Sequence, residues 1–467
     1  MRTLKSLLSV QGILRKDQIV GPIPSSKEVY KRTFKIAWPS ATEATLISLI
    51  GAIDMMMVGQ LGAGSIAAIG ITNQPKFILM SVVLALNIGL TVIVSRRKGQ
   101  KDHESANRTV RNAIVISIIL SAIFMTLGFV FAEPILRFSG ATSDYIGLSV
   151  DYFRIVMVGT FFFCISLTIT SAQRGAGNTK ISMKTNITAN IVNVILNYLL
   201  INGIWIFPRL EVRGAALATA IGNIVAMIIA IYSISHSKDF LRLSLKQDWR
   251  LDRKTVWSIV DISKTALVEQ IFLRIGFLTY AKAVAGLGTI AFATHQVAIN
   301  VMTISFAIGD GLSIANSSLV GQSLGARRPD MAILYGKVSQ RIGVLISIVL
   351  GLLIAIFRSN IIQLFNRDPQ IVELGSQILL VLAVIMLFQI AQVITIGSLR
   401  GAGDVRFVAM ISLVSVTFMR PILTYLFAYT IGLGLIGAWI SVLMDQVIRY
   451  LIGKWRFTQA KWTRIEV

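Results

Sequence analysis

QRGAGNTK, residues Gln173–Lys180, returns 226 residues later as LRGAGDVR, Leu399–Arg406. The same offset carries Glu43 to Glu269, Leu61-Gly62 to Leu287-Gly288 and Gly99 to Gly325. Ile195-Leu196-Asn197-Tyr198-Leu199 likewise recurs as Ile422-Leu423-Thr424-Tyr425-Leu426, one residue out of register. The chain is therefore an internal duplication that runs through most of each half. A duplicated chain that crosses a membrane many times is the common plan of a transporter, with the working site expected between the halves.

Composition agrees with a membrane setting. Hydrophobic residues make up 54% of 467 residues, charged residues only 14%, and mean hydropathy is +0.72. A soluble globule would carry nearer a quarter charged residues. The net charge of +23 is spread through short loops between apolar runs, not gathered into one basic domain, so topology explains it better than nucleic acid does. Cys164 is the only cysteine and lies in an apolar run, which excludes a disulfide within one chain and a multi-cysteine metal site. Residues 1–32 have basic residues but no sustained apolar core with a cleavage site, and are read as a retained, weakly amphipathic cytosolic arm.

Runs long enough to cross a bilayer, about 20 residues each, fall near 34–59, 66–94, 112–132, 145–171, 183–205 and 214–235. Six more fall near 257–283, 290–319, 340–357, 371–397, 407–430 and 434–453. The reading is an all-α membrane protein of twelve transmembrane helices in two six-helix lobes. The first lobe is 33–235, a cytosolic linker is 236–256, the second lobe is 257–453, and a cytosolic tail is 454–467. Arg96-Arg97-Lys98, Lys238–Lys254, Arg327-Arg328 and Lys454–Arg464 lie in the loops after even-numbered spans and in the tail, and the arm is basic as well. By the positive-inside rule both termini are cytosolic. An even number of spans per half makes the halves parallel repeats, related by a pseudo-two-fold along the membrane normal.

Ionisable residues inside spans cost about 2.5–3.5 kcal/mol or more to insert, so each is a functional candidate. Glu43 and Asp54 are eleven residues apart in the first span, which brings them to nearly one helix face about 16 Å apart along the axis. Glu269 is the mate of Glu43, whereas Tyr280 stands opposite Asp54. Arg274 shares the helix of Glu269, at a spacing of five that pairs poorly. Asn186, Asn190, Asn193 and Asn197 project within about 60° of one another, a stripe unfit to face lipid. It serves either interhelical hydrogen bonding or a hydrophilic wall whose amide oxygens meet a cation. Amides beside one carboxylate suit Na+, and the carboxylate alone can exchange a proton. Asp151 with Arg154, and Asp445 with Arg449, have spacings that favour pairing within one helix. His295 reads as a satisfied hydrogen-bonding group, Asp310 between Gly309 and Gly311 as a helix break, and Met55-Met56-Met57 as an adaptable apolar wall.

The segment Pro39–Gly70, PSATEATLISLIGAIDMMMVGQLGAGSIAAIG, resembles the first span and loop of the multidrug and toxic compound extrusion (MATE) transporters. The two RGAG turns, and GQSLGARRPDMA at Gly321–Ala332, are similar to that family's loops before spans 5 and 11 and after span 8. The resemblance covers nearly the whole chain. It implies two lobes around a cleft, and export of amphipathic, commonly cationic compounds in exchange for Na+ or H+. It also implies a first-lobe cation or proton site at Asp54, Asn193, Asn197 and Thr219, with Na+ held at Asp54, Asn193 and Asn197. Glu269 matches a second-lobe glutamate, and Glu43 and Glu269 are taken as second coupling or substrate carboxylates. The span-10 region departs from the pattern: it offers Gln389 and Gln392 but no acid. These two, with Asn186 and Asn190, are read as a polar cavity wall.

Two competing classes fit the sequence less well. A lipid flippase would need a basic cavity, and the mid-span arginines Arg154, Arg274 and Arg420 fall on three different helices. A membrane enzyme would need a motif such as HExxH or a nucleophile with a base, and a nucleotide-driven pump a Walker motif; none occurs in the sequence. The expectation is a multi-pass monomer of a cell inner membrane, acting on small amphipathic molecules, with no nucleic-acid partner and no cofactor beyond the coupling ion.

Overall fold

The computed structural model describes residues 9–10, 12–61, 63–244, 246–365 and 367–465. Residues 1–8 and 11 of the N-terminal arm, Gly62 of the repeated Leu-Gly pair and the Met55 side chain lie outside the described residues. Every regular element among those described is helical. Twelve are long: α1 Ser26–Gly59, α2 Ala63–Gln100, α3 His103–Val130, α4 Ile146–Gly175, α5 Thr179–Asn202 and α6 Glu211–Ser235 form the first half. The second half holds α7 Arg253–Ala285, α8 Thr289–Gly325, α9 Pro329–Phe365, α10 Pro369–Gly401, α11 Val405–Thr430 and α12 Gly434–Thr458. Ten of the described helices are long and apolar enough to cross a membrane. The two that fall short are α5, with its asparagine stripe, and α7, which carries Asp261, Lys264, Glu269 and Arg274.

The duplication is written into the backbone. After α4, Gly177 N–H donates to Arg174 O (2.9 Å) and Asn178 N–H to Gln173 O (2.8 Å); after α10, Gly403 N–H donates to Arg400 O (2.9 Å) and Asp404 N–H to Leu399 O (2.9 Å). Both turns need a left-handed residue, and glycine supplies it at φ 84° and 87°. The α2–α3 and α8–α9 turns repeat a second pattern, with Lys101 at φ 61° and its mate Arg327 at φ 55°.

Two compact units form the molecule: residues 45–267, and residues 1–44 together with 268–467. Their borders fall inside α1 and inside α7. In the unit of residues 45–267, Gly159 of α4 lets Ala220 of α6 approach so closely that an added Cβ would sit 2.8 Å from the Ala220 Cα. Gly222 does the same for α6 against α5, where a Cβ would lie 3.0 Å from Ala189 O and 3.2 Å from Asn193 Cβ. Small residues at such crossings are what bring transmembrane helices together where no hydrophobic force exists between them.

The other unit has two apolar cores among the described residues. One gathers Leu319, Leu334, Val338, Ile394, Phe457 and Trp462, and it includes Val10, Ile13 and Leu14 of the N-terminal arm. Lys337 Nζ donates to Ile13 O (2.8 Å), Arg341 to Ser9 O (2.9 Å), and Val20 N–H to Asp330 (3.3 Å). The arm is thus anchored by both apolar burial and hydrogen bonds. Helix α1 begins at Ser26, within the stretch read from sequence as arm. The expected break at Asp310 is absent: α8 is continuous from Thr289 to Gly325, because glycine is tolerated inside a packed helix.

Candidate ion-coupling site

Helix α5 places Asn193 and Asn197 one turn apart on its buried face, and helices α1 and α6 bring Asp54 and Thr219 to them. Asn197 Nδ2 donates to Asp54 Oδ1 at 2.8 Å. The hydrogen-bonding pattern assigns Asn193 the amide orientation in which its NH2 faces both Asp54 oxygens, at 3.2 and 3.0 Å, while its carbonyl oxygen accepts from the Thr219 N–H at 3.1 Å. The Thr219 hydroxyl donates to Ala215 O (3.0 Å), which leaves its oxygen lone pairs as acceptors. The four residues named from sequence therefore meet in one cluster within the unit of residues 45–267.

One atom stands out in that cluster. Asn197 Oδ1 is buried without a hydrogen-bond partner among the described residues. A carboxylate, an orphaned amide oxygen and a threonine hydroxyl are hard oxygen donors of the kind that suits an alkali cation or a proton. Tyr152 of α4, passed over in the sequence reading, is buried in one apolar cluster with Val58 of α1 and Ala215 of α6. No motif marks it.

The rest of the polar wall divides. Asn186 and Asn190 are only half-buried, and Asn190 Nδ2 donates back to Asn186 O (2.7 Å) within its own helix. Gln389 and Gln392 are buried in the other unit, where Gln389 Oε1 accepts from Ser305 Oγ (3.1 Å). Glu43 also belongs to that unit and is 3% exposed.

Glu269, 1% exposed, is held by the Arg400 guanidinium at 2.6 Å and the Ser412 hydroxyl at 3.0 Å. Its cation thus comes from the repeated RGAG turn, a role the sequence reading did not assign to that arginine. Asp151 and Arg154 do not pair with each other. Asp151 meets Arg213 of α6 at 2.5 Å and Arg154 donates to Phe129 O (3.2 Å), since partners on a packed neighbour outcompete a same-helix one. Asp445 does meet Arg449 (2.9 Å), and it also takes Arg420 of α11 and the Ser415 hydroxyl. Arg420 is therefore not an isolated arginine. His295 is not a satisfied hydrogen-bonding group either: its Nδ1 is buried without a partner among the described residues, inside a cage of Tyr280, Phe292 and Trp439.

A repeated all-helical membrane chain with a half-buried acid held between amides is the plan of a transporter. The MatE family profile matches residues 39–199 and 266–426, one stretch in each half. Among curated relatives, "Probable multidrug resistance protein NorM" of Thermotoga maritima is 26% identical over 94% of this chain and 94% of its own. "Uncharacterized transporter YisQ" of Bacillus subtilis is 26% identical over 92% and 94%. The solved outward-facing structure of a multidrug resistance MATE family transporter of the MOP superfamily superposes with a TM-score of 0.87 at 20% identity, over 93% of this chain and 97% of that one. The chain belongs to the MATE family.

Proposed function

We propose that this protein is a secondary active antiporter that exports amphipathic, often cationic compounds in exchange for Na+ or H+. The multidrug-resistance names of its relatives supply the substrate class. The observation that carries the coupling role is Asp54 held by Asn193 and Asn197 beside the orphaned Asn197 Oδ1. An incoming cation or proton supplies the missing partner and neutralises the acid. In the proposed cycle the ion and the exported compound favour opposite states of the protein, each by its differential affinity, and so displace one another.

The proposal includes twelve spans, with α5 and α7 crossing alongside the ten apolar helices, two six-helix lobes working by alternating access, and both termini cytosolic. The proposal also places the chain in a cell inner membrane, as a monomer. The second carboxylates enter it unequally: Glu43 remains a candidate for coupling or substrate binding, while Glu269 first has to leave Arg400.

The test is efflux of a fluorescent cation from proteoliposomes under an imposed Na+ gradient and, separately, a pH gradient. One gradient should drive wild-type transport, and Asp54→Asn should abolish it while the protein still inserts and elutes as a single species. Gradient-driven efflux at the wild-type rate in Asp54→Asn would end the coupling role.

A further inference from the structure

The repeat supplies counterparts for Asp54, Asn193 and Asn197. Tyr280 stands opposite Asp54 at the 226-residue offset, and the shifted segment sets Arg420 opposite Asn193 and Thr424 opposite Asn197. An acid with two amides in the first half becomes a phenol, a guanidinium and a hydroxyl in the second. The fold keeps these together too. The Arg420 guanidinium lies 5.7 Å from the Tyr280 ring centroid and 5.3 Å from that of Phe277, and the Thr424 hydroxyl is 2.6 Å from that of Ser441.

The charges around this counterpart do not cancel. Asp445, fully buried, is shared by Arg420 and Arg449, whereas Glu269 and Arg400 form a pair of their own. Two guanidiniums thus share one carboxylate, which leaves one positive charge over. Asp330 and Asp404 of this unit are engaged elsewhere, with Arg328 and Arg456. A surplus charge in a low-dielectric interior is costly without a counter-ion. The Nε atoms of Arg420 and Arg449 are buried with no hydrogen-bond partner among the described residues, and the Arg420 side chain is 3% exposed. The backbone is unusual at the same place: π-helical segments at Leu413–Met419 and Tyr425–Thr430 bracket Arg420, and such segments recur at functional sites.

We propose that the unit containing residues 268–467 holds a buried monoanion site at Arg420, completed by Arg449 and walled by the rings of Tyr280 and Phe277. The Nε–H groups supply the free donors, and the surplus charge fits one negative charge. That chemistry describes a small halide, and equally the carboxylate of an amphipathic substrate. The site stands on its own residues and does not depend on the role given to Asp54.

Thermal unfolding of the purified full-length protein in detergent tests the assignment, at constant ionic strength with isethionate as the replaced anion and separate arms of chloride, decanoate and inorganic phosphate. The expected result is a saturable rise in Tm with chloride or decanoate, and the anion that half-saturates at lower concentration identifies the source. Arg420→Gln should raise the half-saturating concentration by about tenfold or more, the scale of a lost hydrogen bond to a charged group. Arg449→Gln keeps the Arg420–Asp445 pair and removes the surplus charge, so it should fold and lose the anion-dependent rise; it decides the matter if Arg420→Gln does not fold. No saturable rise in the wild type, an unchanged rise in Arg449→Gln, or a stronger response to phosphate than to either monoanion would overturn the proposal.

Discussion

Asn197 and Asp54, 143 residues apart in sequence, share a 2.8 Å hydrogen bond, and the amide oxygen of the same Asn197 is buried without a partner among the described residues. One side chain thus both fixes the acid and offers an acceptor next to it. Asn197→Leu removes both at nearly constant volume. Gradient-driven efflux in proteoliposomes is expected to fall by about tenfold or more, as for loss of a hydrogen bond to a charged group. An unchanged initial rate at subsaturating driving ion would take Asn197 out of the site.

Glu269 and Arg400 make the converse case, a buried acid already supplied with a cation. Breaking such a pair strands a charge and typically costs about 3–5 kcal/mol, whereas removing both partners is far milder. Glu269→Gln and Arg400→Gln should each lower the unfolding temperature strongly, with the double variant recovering most of the loss. Additive losses, measured as a double-mutant cycle by thermal unfolding in detergent, would show that the pair contributes nothing as a pair.

Much of this was legible before any coordinates. The repeat offset, the asparagines spaced by four and an aspartate set inside the apolar first span are local or periodic signals, and they led to Asp54, Asn193 and Asn197, while family resemblance added Thr219. Ion-pair choice was not legible in the same way. Asp151 ignored Arg154 three residues away for Arg213 on another helix, and Glu269 took Arg400, because interhelical partners depend on which faces the small residues bring into contact. Asp445 did pair with Arg449 as its spacing suggests, yet the arrival of Arg420 changes the charge of that cluster, and nothing in the local sequence announces it. The docked arm escaped for a different reason: Val10, Ile13 and Leu14 form too short an apolar set to register as an element, and their burial comes from helices far along the chain.

The loop between α2 and α3 offers a pH-dependent contribution outside the membrane. Asp102 caps α3 by accepting from Ser105 N–H at 3.0 Å. Partial burial works to raise its carboxyl, but hydrogen bonds from Ser105 and the charges of Arg97 and Arg108 prevail and hold it below its ordinary 3.8. A depressed carboxyl stabilises the fold above that ordinary value, and the contribution disappears as pH falls through the lower folded value. Asp102→Ala should therefore weaken the start of α3 by about 1 kcal/mol at neutral pH, the usual worth of a cap. Faster hydrogen exchange at the Ser105 and Ala106 amides at neutral pH, converging with wild type in acid, is the expected signature. A difference independent of pH would assign the effect to packing.

Gly159 sets the distance between α4 and α6, and through α6 the position of Thr219. A Cβ there would lie 2.8 Å from Ala220 Cα and 3.0 Å from Ala220 Cβ, closer than atoms of two helices can pack, and the obstructing atoms are backbone or rigidly attached to it. Gly159→Val forces the helices apart, and overpacking of this kind typically costs about 1–3 kcal/mol. Because Ala220 follows Thr219 directly, the same displacement withdraws the N–H that Asn193 accepts from. Efflux should therefore fall further than the loss of folded protein explains, when the rate is normalised to the monodisperse fraction on gel filtration. A normalised rate equal to wild type would mean that the cluster around Asp54 tolerates the shift, and that the close approach of α4 and α6 serves stability alone.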